Sequence, residues 1–348
     1  MTKAAPTALV AAAKTFMSLS AQSPIFLSIC IPTRDRAQCL RELLESIAAQ
    51  ATPEVEIVIS DDGSSDGTPK IIAEFRNRFP YFVSERHDPA LRYDRNVLNV
   101  VAKASGDFCW LFGDDDKMEP GGLAAVIAAL RANPDLTGLT TALISYDHTL
   151  KERIYVRELT QNETRLFTGA GEAFLKLLDR LGFLSCQIVN RARWQEVVTK
   201  ENLEPYFAGY VQLYIVARMI TRTPRWQFLA QKCVGFRSDN DSFRILGTLG
   251  RLKMDVCGYE QIVGDIFGRR SSLYHKAMAE IARTHARHHI VAAKRAGAPP
   301  SFSRGALLLC LKYYWRYSSF WLNTFPILAL PRRLMLLIRG FYQRHRHD

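Results

Sequence analysis

The chain has no CxxC pair and no Cys/His grouping at metal-site spacing. Its seven cysteines, Cys30, Cys39, Cys109, Cys186, Cys233, Cys257 and Cys310, are odd in number and dispersed. That pattern argues against a disulfide framework and for a reducing, cytoplasmic compartment. No GxGxxG follows the first apolar run, and no GxxxxGKS occurs anywhere. Neither a dinucleotide-binding fingerprint nor a P-loop is supported. No stretch of 18 uninterrupted apolar residues occurs, so no membrane-crossing helix is expected. The "ALVAAA" near the start is too short for a signal peptide. Internal repeats and low-complexity tracts are missing as well.

Acids are scarce at one end. From Ser301 onward the only one is the terminal Asp348, against Arg304, Lys312, Arg316, Arg332, Arg333, Arg339, Arg344 and Arg346. Leu, Tyr, Trp and Phe are interleaved with these bases at roughly helical spacing, which reads as a segment for an anionic membrane surface. A buried helical appendage or an oligomer contact is the other reading. Single-stranded nucleic acid also binds basic and aromatic side chains. It would not need "ALLLCL" or "RLMLLIRGFY", and nucleic acid is not an expected partner.

What is present is ordinary globular composition with an unusual charge. The 348 residues are 48% hydrophobic and 23% charged, enough for two domains or one large domain with an appendage. The net charge of +12 points to a polyanionic partner.

The patterning of the first third alternates. "PIFLSICIPT" (24–33) predicts a buried strand, and "AQCLRELLESIAAQ" (37–50) sets Leu40, Leu43, Leu44 and Ile47 on one helical face. "EVEIVISDDGSSDGT" (54–68) predicts a strand stopped by acids and glycines. "PKIIAEFRNRF" (69–79) predicts a helix with Pro69 at its first position and Thr68 as cap. A third strand in "FVSERHD", a helix over 94–105 and a strand over 107–113 follow. The expectation is an α/β fold whose mostly parallel sheet is covered by helices on both faces. Such sheets bind ligands at the carboxyl ends of their strands, where the acidic clusters fall. Beyond, "FLSCQIVNRARWQEVV" predicts a strand leading into a helix, residues 250–298 read as helical and basic, and "APP" (298–300) marks a break. The expected organisation is a lead-in (1–24), a first half (25–130), a second half (131–245) and a helical basic extension (246–348).

The acidic motifs carry the chemistry. "CWLFGDDDKMEPGG" (109–122) runs from an apolar stretch straight into Asp114, Asp115 and Asp116. Like charges about 4 Å apart repel by about 1 kcal/mol per pair in water, and by more where water is scarce. Something positive is expected against them. "SDDGSSDGT" resembles an EF-hand loop only until position 12, where the required Glu is Ala73. Carboxylates at strand ends can hold a hard cation that in turn holds phosphate, or accept hydrogen bonds from ribose and base. A nucleoside diphosphate held through Mg²⁺ or Mn²⁺ is the implied ligand. Asp61 reads as a strand-end residue holding a turn with Ser64, and Asp66 and Thr68 as turn and cap residues.

"ICIPTRDR", "EIVISDDGSSDGT" and "ASGDFCWLFGDDDKMEPGGL", in that order, resemble the nucleotide-binding half of family 2 glycosyltransferases of the GT-A fold. Around "LFGDDD" and "RSDNDS" the chain is most similar to abequosyltransferase-like enzymes that add sugars to lipid-linked O-antigen repeats. The resemblance implies that Pro32 and Thr33 border the base and Asp62 accepts from it. Asp114 would hold ribose, and Asp115 or Asp116 would ligate the metal, because Gly113 stands where the family usually has an Asp. Arg92 or Arg95 would lie near the nucleotide, and Arg237 would contact the pyrophosphate. The catalytic acid usual for the family falls near Tyr210 in "YFAGYVQLY" (206–214), which has no acid. Asp239 and Asp241 in "FRSDNDSF" are the candidate bases. The expected activity is metal-dependent transfer from a nucleotide diphosphate sugar to a polyprenyl-diphosphate-linked saccharide, by an enzyme resting on the inner face of the plasma membrane. A nucleotidyltransferase acting on sugar phosphates and a non-catalytic sugar-nucleotide-binding protein are the alternatives.

Overall fold

The computed structural model describes residues 25–154 and 162–335. The lead-in, and with it the last thirteen residues carrying Arg339, Arg344 and Arg346, lies outside the described residues.

The predicted alternation is present: β1 (Leu27–Thr33), α1 (Ala37–Ala48), β2 (Val55–Asp61), α2 (Thr68–Phe75), β3 (Tyr81–Arg86), α3 (Tyr93–Ala102) and β4 (Phe108–Leu111). β1 pairs in parallel with both β2 and β4, and β2 with β3, giving a parallel block ordered β3-β2-β1-β4. All seven residues of β1 and all seven of β2 are buried, as strands covered on both faces must be. Leu27, Ile29 and Ile31 pack on one face with Leu40, Leu43 and Leu44 of α1, while Cys30 belongs to the core on the other. Successive strand residues point to opposite faces, so one strand serves two cores.

One local expectation is corrected. Thr68 does not cap α2; it is the first helical residue, and its hydroxyl accepts from the Arg36 N–H at 3.0 Å. Asp66 takes the capping role, accepting the Thr68 N–H at 2.9 Å and the Ala37 N–H at 3.0 Å. Asp61 does hold the expected turn, accepting the Ser64 N–H at 3.0 Å.

The second half makes the sheet mixed. After β5 (Lys117–Met118) and α4 (Gly122–Ala132) come β6 (Gly138–Tyr146), β7 (Arg165–Phe167), α5 (Ala170–Leu177), β8 (Gln187–Asn190), α6 (Arg191–Lys200), α7 (Val211–Arg222) and β9 (Trp226–Arg237). β8 runs antiparallel to β4 and β6, β9 lies parallel to β6, and β5 and β7 pair antiparallel with β9. The predicted strand-to-helix step is β8 into α6, capped by Asn190, whose side chain accepts the Arg193 N–H.

The extension is built from α8 (Gly247–Phe267), α9 (Ser272–Ile281), α10 (Arg287–Arg295), α11 (Pro300–Tyr314) and α12 (Phe325–Ala329). It is no loose appendage. Phe302, Ala306, Cys310 and Tyr314 of α11, then Phe320 and Leu328, sit in the same hydrophobic core as Cys30, Val58 and Trp194. This side of the tail packs as the buried appendage of the second reading, and its deletion would open that core to water. A chain ending at Ala298 is expected to be insoluble, and Phe320→Ala to lower unfolding free energy by about 3–5 kcal/mol. A urea titration checks the second.

Candidate active site

Sheet register assembles the site. Thr33 at the end of β1 stands opposite Asp61 at the end of β2. Cys30 stands opposite Leu111 of β4, and the ladder continues to Phe112, whose N–H donates to the Cys30 carbonyl. Two residues further on, Asp114 lies beside Thr33, whose hydroxyl donates to Asp114 Oδ2 at 2.7 Å. On the other side, Lys117 of β5 stands opposite Gly235 of β9, so the acids just before β5 meet the end of β9. The Arg237 N–H donates to Asp116 Oδ1 at 3.0 Å.

The three carboxylates differ in surroundings. Asp114 and Asp116 are buried. Burial and the neighbouring Asp115 charge push Asp114 up to about 7, against the pull of Arg36 and Thr33. The same two causes push Asp116 up to about 8. Both Asp116 oxygens are taken, one by the Arg237 amide and one by the Ser185 hydroxyl at 2.5 Å. Asp115 is raised by burial too, but its side chain remains 21% exposed. Its Oδ2 accepts from Arg36 at 2.9 Å and from the Asn240 amide at 3.0 Å. The positive charge that the triplet demanded is Arg36.

Gly113 is closely packed by oxygens at this point. A Cβ there would meet Ser185 Oγ at 3.2 Å, Asp115 Oδ1 at 3.3 Å and Asp116 Oδ2 at 3.5 Å. Three oxygens thus converge beside a residue without a side chain. Oxygen donors are the kind that Mg²⁺ or Mn²⁺ takes, but these lie 3.2–3.5 Å from that point, and no group of three or more His, Cys, Asp or Glu side chains is drawn together for a metal among the described residues.

Arg36 and Arg237 order the rim. Arg36 also donates to the Asn240 carbonyl at 3.1 Å and to Ser242 Oγ at 2.9 Å, so it ties the segment after β9 across the acidic edge. Arg237 is buried, donating to the Asp115 carbonyl and the His148 carbonyl, each at 2.7 Å, and pairing with Glu42. Every nitrogen of its guanidinium is engaged, which makes it a brace for the Asp115 backbone. A cavity of about 350 Å³ opens here, lined by Cys39, His148, Arg237, Asp239, Asn240 and Arg244. Arg244 has no side-chain hydrogen bond or ion pair among the described residues.

Past the end of β2, Asp62 is buried and accepts the Leu91 N–H at 2.5 Å and the Arg92 N–H at 3.1 Å. Arg92 adopts φ 70° to present that amide, and Arg34 lies 3.7 Å from the same carboxylate. Pro32 is buried within β1, paired with Ser60. The Arg92 and Arg95 side chains are exposed, and Arg95 lies over the Phe207 ring at 5.0 Å.

The position near Tyr210 resolves into a buried network. Asp94 accepts the Gly209 N–H at 2.9 Å and the Val211 N–H at 3.1 Å, fixing the start of α7. Tyr210 donates to Asp255 on α8, a carboxylate that also pairs with Arg251 and with His289 of α10. Burial would raise Asp255, but His289, Arg251 and Tyr210 outweigh it and hold it well below the usual range. Asp255 is 1% exposed and surrounded by donors, so it cannot serve as a base. Arg251 reaches on to Asp241 Oδ2 at 2.7 Å, while Asp241 Oδ1 accepts the Phe243 N–H at 2.9 Å. Asp241 is thereby a turn and anchor residue. Asp239, at φ 60°, is exposed on the cavity wall with no hydrogen bond or ion pair to its carboxylate among the described residues.

Arg36, Glu42, Ser185, Asn240 and Arg244 were not legible as site residues. Arg36 had a signal, since "PTRDR" places a base three residues past a strand end that meets the acids. Ser185 had none, because only the antiparallel insertion of β8 beside β4 brings it there.

Solved structures share this architecture. S. aureus TarS 1-349 in complex with UDP-GlcNAc superposes with a TM-score of 0.61 at 14% identity, over 85% of this chain and 84% of that one. The mannosyltransferase PcManGT of Pyrobaculum calidifontis, in complex with GDP-Man and Mn²⁺, gives 0.50 at 13%, over 92% and 91%. The fold is that of the GT-A glycosyltransferases. The family model for glycosyl transferase family 2 matches residues 28–190. The chain is 30% identical over 269 residues, 72% of its length and 78% of the relative's, to abequosyltransferase RfbV of Salmonella typhimurium. It is 31% identical over 104 residues, 29% of its length and 33% of the relative's, to the Campylobacter jejuni GalNAc(5)-diNAcBac-PP-undecaprenol beta-1,3-glucosyltransferase. The chain therefore belongs to glycosyltransferase family 2.

Proposed function

We propose that the protein moves a sugar from a nucleotide diphosphate sugar onto a hydroxyl of a polyprenyl-diphosphate-linked saccharide in surface polysaccharide (O-antigen) synthesis, in a metal-dependent reaction. The observation that carries this reading is the convergence of Thr33, Asp62 and the Asp114–Asp116 triplet on one sheet edge, beside a cavity with a carboxylate, that of Asp239, unpartnered among the described residues. The relatives support the acceptor class, since one is an abequosyltransferase and another acts on an undecaprenol-linked saccharide. Two neighbours were solved with a nucleotide sugar, and one of these with Mn²⁺.

In this reading Pro32, Thr33 and Asp62 border the base, with Arg92 and Arg95 at its outer side, and Asp114 receives the ribose. Asp115 and Asp116, whose oxygens meet beside Gly113, would hold Mn²⁺ or Mg²⁺. Bound there, the ion supplies Lewis-acid neutralisation of charge on the departing diphosphate. Arg244, without a side-chain partner among the described residues, would meet that diphosphate, with Arg237 bracing the wall behind it. The acceptor hydroxyl forms its bond to the anomeric carbon as the bond to the diphosphate breaks, and Asp239 takes the hydroxyl proton. The basic extension places the enzyme on the inner face of the plasma membrane, where such acceptors reside.

Incubation with a panel of nucleotide sugars, following diphosphate release with and without Mn²⁺, tests the reaction. A thermal-shift series with UDP, GDP, CDP and dTDP identifies the base. One nucleotide is expected to raise the melting temperature, and more so with Mn²⁺. Stabilisation without any transfer would favour a binding protein, and diphosphate release from a nucleoside triphosphate and a sugar phosphate would favour the nucleotidyltransferase.

A further inference from the structure

Eight of the twelve large apolar side chains exposed among the described residues lie between Ile245 and Leu334. Exposed apolar groups gathered in one region mark a contact surface more often than scattered ones do. The exposed residues Arg304, Leu308 and Lys312 of α11 and Trp315 at its C-cap follow at spacings of four, four and three, which sets them along one side of the helix. The opposite side, Phe302, Ala306, Cys310 and Tyr314, is buried. The exposed stripe thus alternates cation and apolar group. Residues 300–335 contain five Lys and Arg and no Asp or Glu.

The stripe does not end on α11. Leu249, in the first turn of α8, lies against Gly305, where a Cβ would meet Leu249 Cδ2 at 2.6 Å. Leu249 is itself exposed and leads back to Leu246 and to Ile245, which is 94% exposed. An isoleucine held almost wholly in water gains nothing from the fold. The residue before it, Arg244, lines the catalytic cavity. An apolar and basic strip therefore runs from the cavity rim along α11.

We infer that this strip docks on an anionic bilayer, with Ile245 and Leu246 entering the interface at the rim of the cavity. The inference rests on the lipid-linked acceptor proposed above, whose reactive saccharide must rise from a membrane into the site. Anionic lipid is the occupant that fits the charge: the cations meet phosphates while Leu308, Trp315 and Ile245 reach the acyl boundary. A second copy of the chain fits worse, because a two-fold contact through this strip would set its uncompensated cations near each other. Docking here would turn the cavity mouth toward the lipid headgroups, beyond merely tethering the enzyme.

The test is sedimentation of the full chain with vesicles of phosphatidylcholine, or of phosphatidylcholine with about one third phosphatidylglycerol, over a salt series. Wild type is expected to bind the anionic vesicles alone, and more weakly as salt rises. The pair Ile245→Asp and Leu246→Asp should weaken that binding about tenfold or more, as should Leu308→Glu with Trp315→Glu. A control at another exposed apolar position, Tyr81→Asp on β3, should leave it unchanged. Thermal shift by the nucleoside diphosphate is measured on each variant and should stay at the wild-type value. Vesicle binding that is absent in wild type, or equal in wild type and the Ile245/Leu246 pair, overturns the docking surface while nucleotide binding stands. A dimer in light scattering that the same pair converts to monomer also overturns it, in favour of self-association. Loss of nucleotide response in wild type would instead remove the transferase reading, whatever the vesicles show.

Discussion

Asp239→Asn is expected to slow transfer by about 10²–10⁴-fold while leaving nucleotide affinity unchanged. The exchange preserves shape and removes the ability to take a proton. The companion variant Asp241→Asn should stay within a few-fold of wild-type turnover, because Asp241 already works as an anchor. Its Oδ1 holds the Phe243 amide, a bond that Asn can keep, and its Oδ2 pairs with Arg251. Single-turnover kinetics at saturating donor separates chemistry from binding in both variants. If Asp239→Asn turns over normally, the proton leaves by another route. If Asp241→Asn is the slow one with donor affinity intact, the two roles are exchanged.

Asp115→Asn is expected to abolish Mn²⁺-dependent donor binding with the fold intact. Asn can still accept from Arg36 and from Asn240, the two donors that hold Asp115 at the edge. What it loses is the charge that a divalent ion requires of its oxygen ligands. Calorimetric titration with the nucleoside diphosphate, with and without Mn²⁺, is the measurement. A metal dependence equal to that of wild type would remove Asp115 from the ligand set and leave the ion to Asp116 with Asp114, neighbours whose oxygens are already engaged by Ser185, Arg237 and Thr33.

The parallel block of the fold was legible because its signals are local. The apolar runs of β1 and β2 and the Leu40, Leu43, Leu44 and Ile47 face of α1 depend on residues only a few positions apart. Strand–helix alternation then leaves little choice of topology. The acidic triplet was legible for a related reason: adjacent like charges after an apolar strand announce a compensating cation without naming it.

Pairing across long separations decided the rest. Arg36 and Asp115 are brought together by the order of β1 and β4, and Asn240 reaches them because β9 returns to the same edge from the far half of the chain. The choice of Asp239 over Asp241 turned on one ion pair to Arg251, ten residues further on and on another element. The extension shows the division most directly. Its composition determined a basic and aromatic helical segment by itself. Which side of α11 joins the core and which side stays in water was decided by where α8 and α12 pack, since amphipathic periodicity sets the faces of a helix and only its neighbours decide which of them is covered.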